Sequence, residues 1–231
     1  MGPETLLFVP QVAPYVDGPA GVHGVLAQAA VGIAQIAERQ GLRYRSVDDV
    51  RDLEDDELDS ARALALFTIG ETPWSLSQRA RLLDRLRDGS LGVVAIHSST
   101  DSCYEWDEYG CSVGARFDGL PWTQEVALSV DRVHPATAHL PSPWPWYDEV
   151  YQFRDLRPDA RVLLHVPEDQ LDADAPGAKR PPFGYPLAWC FTEGAGRVFS
   201  TSLGHFPAAF ESPAYLRHLG GGLAWALGEG A

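Results

Sequence analysis

His97 ends the apolar run Leu91-Gly92-Val93-Val94-Ala95-Ile96 and is followed at once by Ser98-Ser99-Thr100-Asp101. A β-branched run closing on a polar cluster reads as a buried parallel strand, and open α/β sheets bind ligands at the carboxyl ends of such strands. His23, at the start of the first helix, His205, after the strand Arg197 to Thr201, and the pair Asp148-Glu149 also fall at loops or element ends. Gathered on one rim, three neutral imidazoles (His23, His97, His205) and a carboxylate would suit zinc, manganese or a similar divalent ion, which polarises a carbonyl or activates water. Spacing adds no independent support, because no H-x-x-x-H or H-x-H pair is present. The plainer account, in which each histidine satisfies a local hydrogen bond, stays open.

Glu149 is the candidate general base or acid, with Asp148 and His97 as catalytic partners. An acidic pair divides its roles when a pocket desolvates one member. Tyr151 shares a face with Glu149 if Val150 to Phe153 is a strand, since side chains alternate with period two, and its hydroxyl would meet a sugar oxygen. Ser98, Asp101 and Trp122 complete the expected substrate contacts. Trp122, Trp144 and Trp146 lie in Pro-rich sequence and either offer flat faces to a sugar ring or cover the sheet edge. Ser98 paired with His205 is a candidate nucleophile because triads are recognised by geometry; the alternative is that Ser98 and Ser99 cap a helix around Cys103 to Tyr109. His134, held extended by Pro135, reads as a turn residue. His139, His165 and His218 read as surface or strand-edge residues.

The elements that must position these groups follow from periodicity. Thr5 to Pro10, Tyr44 to Val47, Ala63 to Ile69 and the His97 run read as strands. His23 to Gln40 reads as a helix with Leu26, Ala29, Ala30, Ile33, Ile36 and Ala37 on one stripe and Gly41 as C-cap. Ser75-x-x-Gln78 is a capping box opening a second helix, closed by Gly89. The alternation predicts a parallel sheet covered on both faces, an α/β three-layer sandwich. Shorter segments follow in the second half (Glu125 to Val130, Val150 to Phe153, Ala160 to Val166, Leu187 to Phe191, Arg197 to Thr201), several of them antiparallel, the last two joined through Glu193-Gly194-Ala195-Gly196 as a hairpin. Ser212-Pro213 starts a C-terminal helix whose Gly220-Gly221-Gly222 predicts close packing against the sheet. The polar stretch from Glu168 to Pro182 is expected to be a loop insertion, either a lid over the site or disordered.

With 231 residues, 45% hydrophobic, the chain is long enough for one sizeable core and is expected to form a single domain. The formal net charge of −14 repels polyanions, so neither nucleic acid nor an anionic membrane is expected as a partner. Met1-Gly2-Pro3-Glu4-Thr5 lacks a basic region and Leu6-Leu7-Phe8-Val9 is too short for a signal core, so a cytoplasmic protein is expected. Three cysteines without C-x-x-C spacing agree with a reducing compartment. No dinucleotide fingerprint or Walker loop predicts NAD or ATP, and a homo-oligomer stays open.

Several segments occur in a telling order: Val22-His23, Gly92-Val93-Val94-Ala95-Ile96-His97-Ser98, Gly114-Ala115-Arg116-Phe117, His134-Pro135-Ala136-Thr137, Asp148-Glu149-x-Tyr151, Gly194-x-Gly196-Arg197-Val198-Phe199 and Ser202-Leu203-Gly204-His205. Together, from about Thr5 to Trp225, the chain resembles the ThuA-like (trehalose utilisation) family. The resemblance implies a class I glutamine amidotransferase-like, flavodoxin-related sandwich with a mainly parallel central sheet. It also implies a role in carbohydrate use, with 3-keto glycosides as the substrates in view. The chain departs from the family at Leu120-Pro121-Trp122, where members commonly carry a His before the Pro. Amidotransferases place a Cys on a glycine-flanked elbow after the fourth strand; here that place holds Ile96-His97-Ser98-Ser99, so glutaminase chemistry is not expected.

Three functions stay open: an enzyme acting on a keto sugar or keto glycoside by metal-assisted or carboxylate acid/base chemistry (isomerisation or hydrolysis), a Ser98-dependent hydrolase, and a non-catalytic sugar-binding or regulatory module. The first accounts for most of the residues above.

Overall fold

The computed structural model describes residues 4–16 and 22–229, and for residues 22 and 23 the backbone alone. The expected alternation is present in the first half. Strands β1 (Thr5–Val9), β2 (Arg43–Ser46), β3 (Ala61–Leu66) and β4 (Gly92–Ile96) are joined through helices α1 (Leu26–Arg39), α2 (Asp55–Ser60) and α3 (Leu76–Asp88). The apolar stripe of α1 buries Ala29, Ile33, Ile36 and Ala37. Gly41, at φ 70°, ends that helix as only glycine does without penalty. Ser75 and Gln78 form the reciprocal capping box at the start of α3, whose C-cap is Gly89. Helix α2, rich in acid, was not legible from apolar periodicity because it buries only Leu58.

After helix α4 (Asp107–Val113) come β5 (Arg116–Val130), β6 (Trp144–Arg154), β7 (Arg161–Val166), β8 (Tyr185–Glu193) and β9 (Gly196–Thr201), then α5 (Pro207–Glu211) and α6 (Pro213–Ala226). All nine strands form one sheet in the order β2-β1-β3-β4-β9-β8-β7-β5-β6. The five strands from β2 to β9 run parallel, and every pairing from β9 to β6 is antiparallel. The expectation of a mainly parallel sheet is therefore corrected: the sheet is mixed. The cause lies in the connections, since β5 through β9 are linked without crossover helices and adjacent antiparallel strands need none.

Alternate residues of the parallel strands separate into two cores. Leu6, Phe8, Ala63, Ala65, Val94 and Ile96 pack with α1, α5 and α6, whereas Leu7, Val9, Leu64, Leu66, Val93 and Ala95 pack with α2, α3 and α4. This is the three-layer arrangement expected of a strand-helix alternation. No helix among the described residues is long and apolar enough to cross a membrane.

The segment from Glu168 to Pro182 is not a free lid. Trp122 donates its indole N–H to the Asp172 carbonyl (3.0 Å), Gln124 reaches the Gln170 carbonyl (2.9 Å) and Gln152 reaches the Gly177 carbonyl (3.0 Å). Trp122 and Val150 belong to the first core and Tyr151 and Phe153 to the second. The insertion is thus bonded to the strand face opposite Tyr151.

The glycine run in α6 divides. A Cβ on Gly221 would strike the Pro135 carbonyl and one on Gly222 the Phe199 ring, while one on Gly220 would meet only Ile36 at 3.7 Å and Gln40 at 3.8 Å. Gly221→Ala is therefore expected to destabilise the protein by about 1–3 kcal/mol, whereas Gly220→Ala, adding a better helix former at ordinary van der Waals contact, should stabilise it by roughly 0.5–1 kcal/mol. Urea unfolding of both variants checks this; equal effects would contradict the packing described.

Candidate functional site

His97 leaves β4 in the left-handed region, at φ 50°, and starts a 3-10 turn over His97–Asp101. For a residue with a Cβ that backbone costs about 1 kcal/mol or more, which strand β4 and the turn impose together. Ser99 braces the turn by donating to the carbonyls of Leu66 (2.8 Å) and Ile96 (2.9 Å). It is not a helix cap, and neither is Ser98: α4 begins at Asp107 with no side-chain cap.

The imidazole of His97 is fully buried, and its Nδ1 lies 2.8 Å from the Ser202 carbonyl. A carbonyl only accepts, so Nδ1 carries the proton and Nε2 presents a lone pair. Burial pushes the pKa of His97 down to about 3, which keeps the ring neutral. Around Nε2 gather the Tyr151 hydroxyl at 3.0 Å, His205 Nδ1 at 3.2 Å and Glu149 Oε2 at 3.7 Å. His205 Nδ1 lies 3.3 Å from the same Glu149 oxygen. Strand β6 delivers Glu149 and Tyr151 to one face by period-two alternation, and the loop after β9 delivers His205.

Asp148, on the opposite face, builds this loop. Its Oδ2 accepts from the amide of Gly204 (2.8 Å) and the indole of Trp146 (3.0 Å), and its Oδ1 from the amides of Glu149 (2.9 Å) and His205 (3.2 Å). Burial raises its pKa, and these N–H donors oppose the rise; four donors and no acceptor are what an ionised carboxylate satisfies. Asp148, expected as a catalytic partner, is placed with both oxygens occupied in stapling the His205 loop to β6. Glu149 differs. It is partly exposed, burial raises its pKa, the His205 charge lowers it, and Asp148 raises it further.

The other expected residues separate clearly. Tyr151 is in the cluster, its phenol pushed well above its ordinary pKa by burial and by Glu149, so it remains a donor. Asp101 closes the turn after His97, half-buried, and accepts from the Tyr104 hydroxyl at 2.7 Å. Ser98 is fully buried, and its hydroxyl has no partner among the described residues. His205 turns to His97 and Glu149 rather than to Ser98, so the Ser98–His205 pair expected of a nucleophile is not formed. Trp122 is only 4% exposed, set edge-on against Tyr185, and covers the sheet instead of offering a face to a ligand. His97 itself is screened by its three neighbours, so it holds other groups in place. The side chain of His23 lies outside the described residues. His218 is a core clamp rather than a surface residue: Nδ1 meets the Ala136 carbonyl at 2.9 Å and Nε2 the Thr201 hydroxyl at 3.2 Å. No spacing signal could have revealed that.

His97 Nε2, His205 Nδ1 and Glu149 Oε2 form a triangle with edges of 3.2, 3.3 and 3.7 Å. Ligand atoms held about 2.0–2.1 Å from a tetrahedral zinc lie roughly 3.4 Å apart, so this donor set fits such an ion. The Ser202 carbonyl on His97 Nδ1–H is the outer partner that orients a ligating imidazole.

Burial also sets a pH dependence. His97 and His218 are each held down to about 3, against about 6.5 in an unfolded chain. Below pH 6.5 the unfolded chain binds more protons, so stability is full above that value and falls as the pH drops toward 3. Each histidine should contribute a slope of about 1.4 kcal/mol per pH unit across the middle of that window. Urea midpoints taken from pH 7 to pH 4 should fall, with a shallower slope in His218→Gln; identical slopes in the two proteins would contradict the assignment.

The whole chain resembles known structures at low identity. A ThuA-like protein from Bacteroides uniformis ATCC 8492 superposes with a TM-score of 0.75 at 17% identity, over 97% of this chain and 92% of that one. A ThuA-like protein from Parabacteroides merdae ATCC 43184 gives 0.74 at 20% identity, over 99% and 91%. A β-galactosidase from Bacillus circulans sp. alkalophilus matches with a TM-score of 0.62 at 13% identity, over 98% of this chain but 31% of its own. At such identities these likenesses show the fold. No curated protein matches the sequence. The model of the ThuA family, described as trehalose utilisation, matches residues 15–226. With a match over nearly its full length, the chain belongs to the ThuA family.

Proposed function

We propose that this protein is an enzyme acting on a keto sugar or keto glycoside, with Glu149 as the group that moves the proton. The observation that carries the reading is the meeting of Glu149, His205, His97 and Tyr151 around one point at the end of β4. The family's description as trehalose utilisation supports a carbohydrate substrate.

A ketone on a sugar ring acidifies the neighbouring C–H. Glu149 is partly exposed and has a raised pKa, which brings it closer to neutrality, where a general base is most effective. It takes the proton, and the C–H electron pair becomes the enediolate double bond while negative charge collects on the former carbonyl oxygen. The imidazole of His205, partly exposed and beside Glu149, is the donor nearest that charge. His97 stays neutral, and its Nε2 lone pair holds His205 and the buried Tyr151 hydroxyl in place. A divalent ion such as zinc or manganese, if held by His97, His205 and one oxygen of Glu149, would take the lone pairs these hydrogen bonds use and supply Lewis-acid polarisation of the carbonyl, leaving the second carboxylate oxygen as the base. Return of the proton to a different atom gives isomerisation; expulsion of the neighbouring glycosidic oxygen, which takes the proton from Glu149 and leaves as the alcohol, gives an enone, and addition of water to that enone completes hydrolysis.

Leu120 favours a second reading, a sugar-binding module without turnover. It stands where the family commonly has a His, and it is 40% exposed on β5. One experiment separates the two. Protein loaded with zinc or manganese should convert a 3-keto glucoside, and Glu149→Gln should lose on the order of 10²–10⁴ in kcat, the usual cost of removing a general base. Full turnover in Glu149→Gln would refute the role of Glu149. Saturable sugar binding with no turnover by the loaded wild type would establish the binding module instead. Elemental analysis should find about one ion per chain, lost in His97→Gln; equal metal content in the two would remove the ion from the account.

A further inference from the structure

We infer that Tyr147 and Phe206 form an aromatic platform beside the proton-transfer cluster that holds a second, uncharged sugar ring, so that the preferred substrate is a keto disaccharide rather than a single keto sugar. The inference rests on the proposed function and adds a substrate class to it. Tyr147 is one of the few large apolar side chains that stay exposed, at 55%. It lies two residues before Glu149 on β6 and four before Tyr151, so the strand's alternation sets all three on one face. Its ring packs on Phe206 at 5.3 Å between centroids, and Phe206 in turn meets the His205 ring edge-on at 4.6 Å. Phe206 thus links Tyr147 to the histidine that contacts Glu149.

A single exposed aromatic ring is ordinary, but Tyr147 is continuous with the half-buried Phe206 and through it with His205, and contiguous apolar surface beside chemistry is where ligands bind. The neighbouring charges choose the occupant. Glu125 on β5 is the direct cross-strand partner of Tyr147, and Glu149 flanks it along the strand. Two carboxylates repel a phosphorylated or acidic sugar, but they accept hydrogen bonds from the hydroxyls of a neutral one. A flat ring with carboxylates beside it offers an apolar face to the C–H side of a pyranose and acceptors to its rim. A ketone-bearing ring seated at Glu149 and His205 would place its glycosidic partner over this platform. Trp122, by contrast, is buried.

The test compares a keto disaccharide with the matching keto methyl glycoside. The wild type should favour the disaccharide in kcat/KM by about 3- to 10-fold, the range expected from one aromatic contact, with the difference in KM. Tyr147→Ala should bring that ratio to about one, and Tyr147→Trp, which keeps the flat face, should restore it. A preference that survives Tyr147→Ala, or none in the wild type, overturns the platform. Calorimetric titration of the same two ligands into Glu149→Gln keeps this outcome distinct from failure of the enzymatic reading. If nothing is turned over, a binding preference that disappears when Tyr147→Ala is combined with Glu149→Gln still supports the platform, and equal binding of the two ligands refutes it.

Discussion

The carbonyl of Ser202 accepts the Nδ1 proton of His97, and this fixes which face of the imidazole is basic. Because the ring is buried, its protonated form is disfavoured and the Nε2 lone pair is permanently available. Every other contact at the site is organised around that atom: the Tyr151 hydroxyl and His205 lie against it, and Glu149 lies against His205. The unfavourable backbone of His97 is what aims the ring at them. A residue that left β4 in the ordinary extended conformation would direct its side chain elsewhere.

The antiparallel half of the sheet completes the cluster. The parallel half supplies His97 at the end of β4 and His205 in the loop after β9. Glu149 and Tyr151 come from β6, at the far edge of the sheet. Asp148 closes the gap, since its carboxylate binds the Gly204 and His205 amides directly. Tyr215 and His218 of α6 hold the same loop from the other side: the Tyr215 hydroxyl donates to the Leu203 carbonyl at 2.7 Å, and His218 meets Thr201. The position of His205 is therefore a property of β6, β9 and α6 together.

The four strands and the helices α1 and α3 of the first hundred residues could be read from the sequence because those helices have a clear stripe or a clear cap, whereas α2, which buries only Leu58, could not. Glu149, Tyr151 and His205 were legible as candidates from their positions at element ends and from the order of the family's segments. That Asp148 spends its oxygens on backbone amides was not. Asp148 and Glu149 are adjacent and chemically alike; which of them faces the backbone amides depends on strand alternation in a sheet whose edge position no local pattern encodes. For the same reason Trp122 could not be told from a ligand platform, because its burial follows from the insertion that its own indole pins. His218 and the mixed character of the sheet are likewise products of long-range pairing.

His97 is a neutral hub with its proton on Nδ1. Nitrogen-15 histidine spectra of the labelled protein, recorded at pH 5, report both charge and tautomer for each ring. A neutral His97 with Nδ1–H and a bare Nε2 is the predicted result, whereas an imidazolium signal, or a proton on Nε2, would contradict the account.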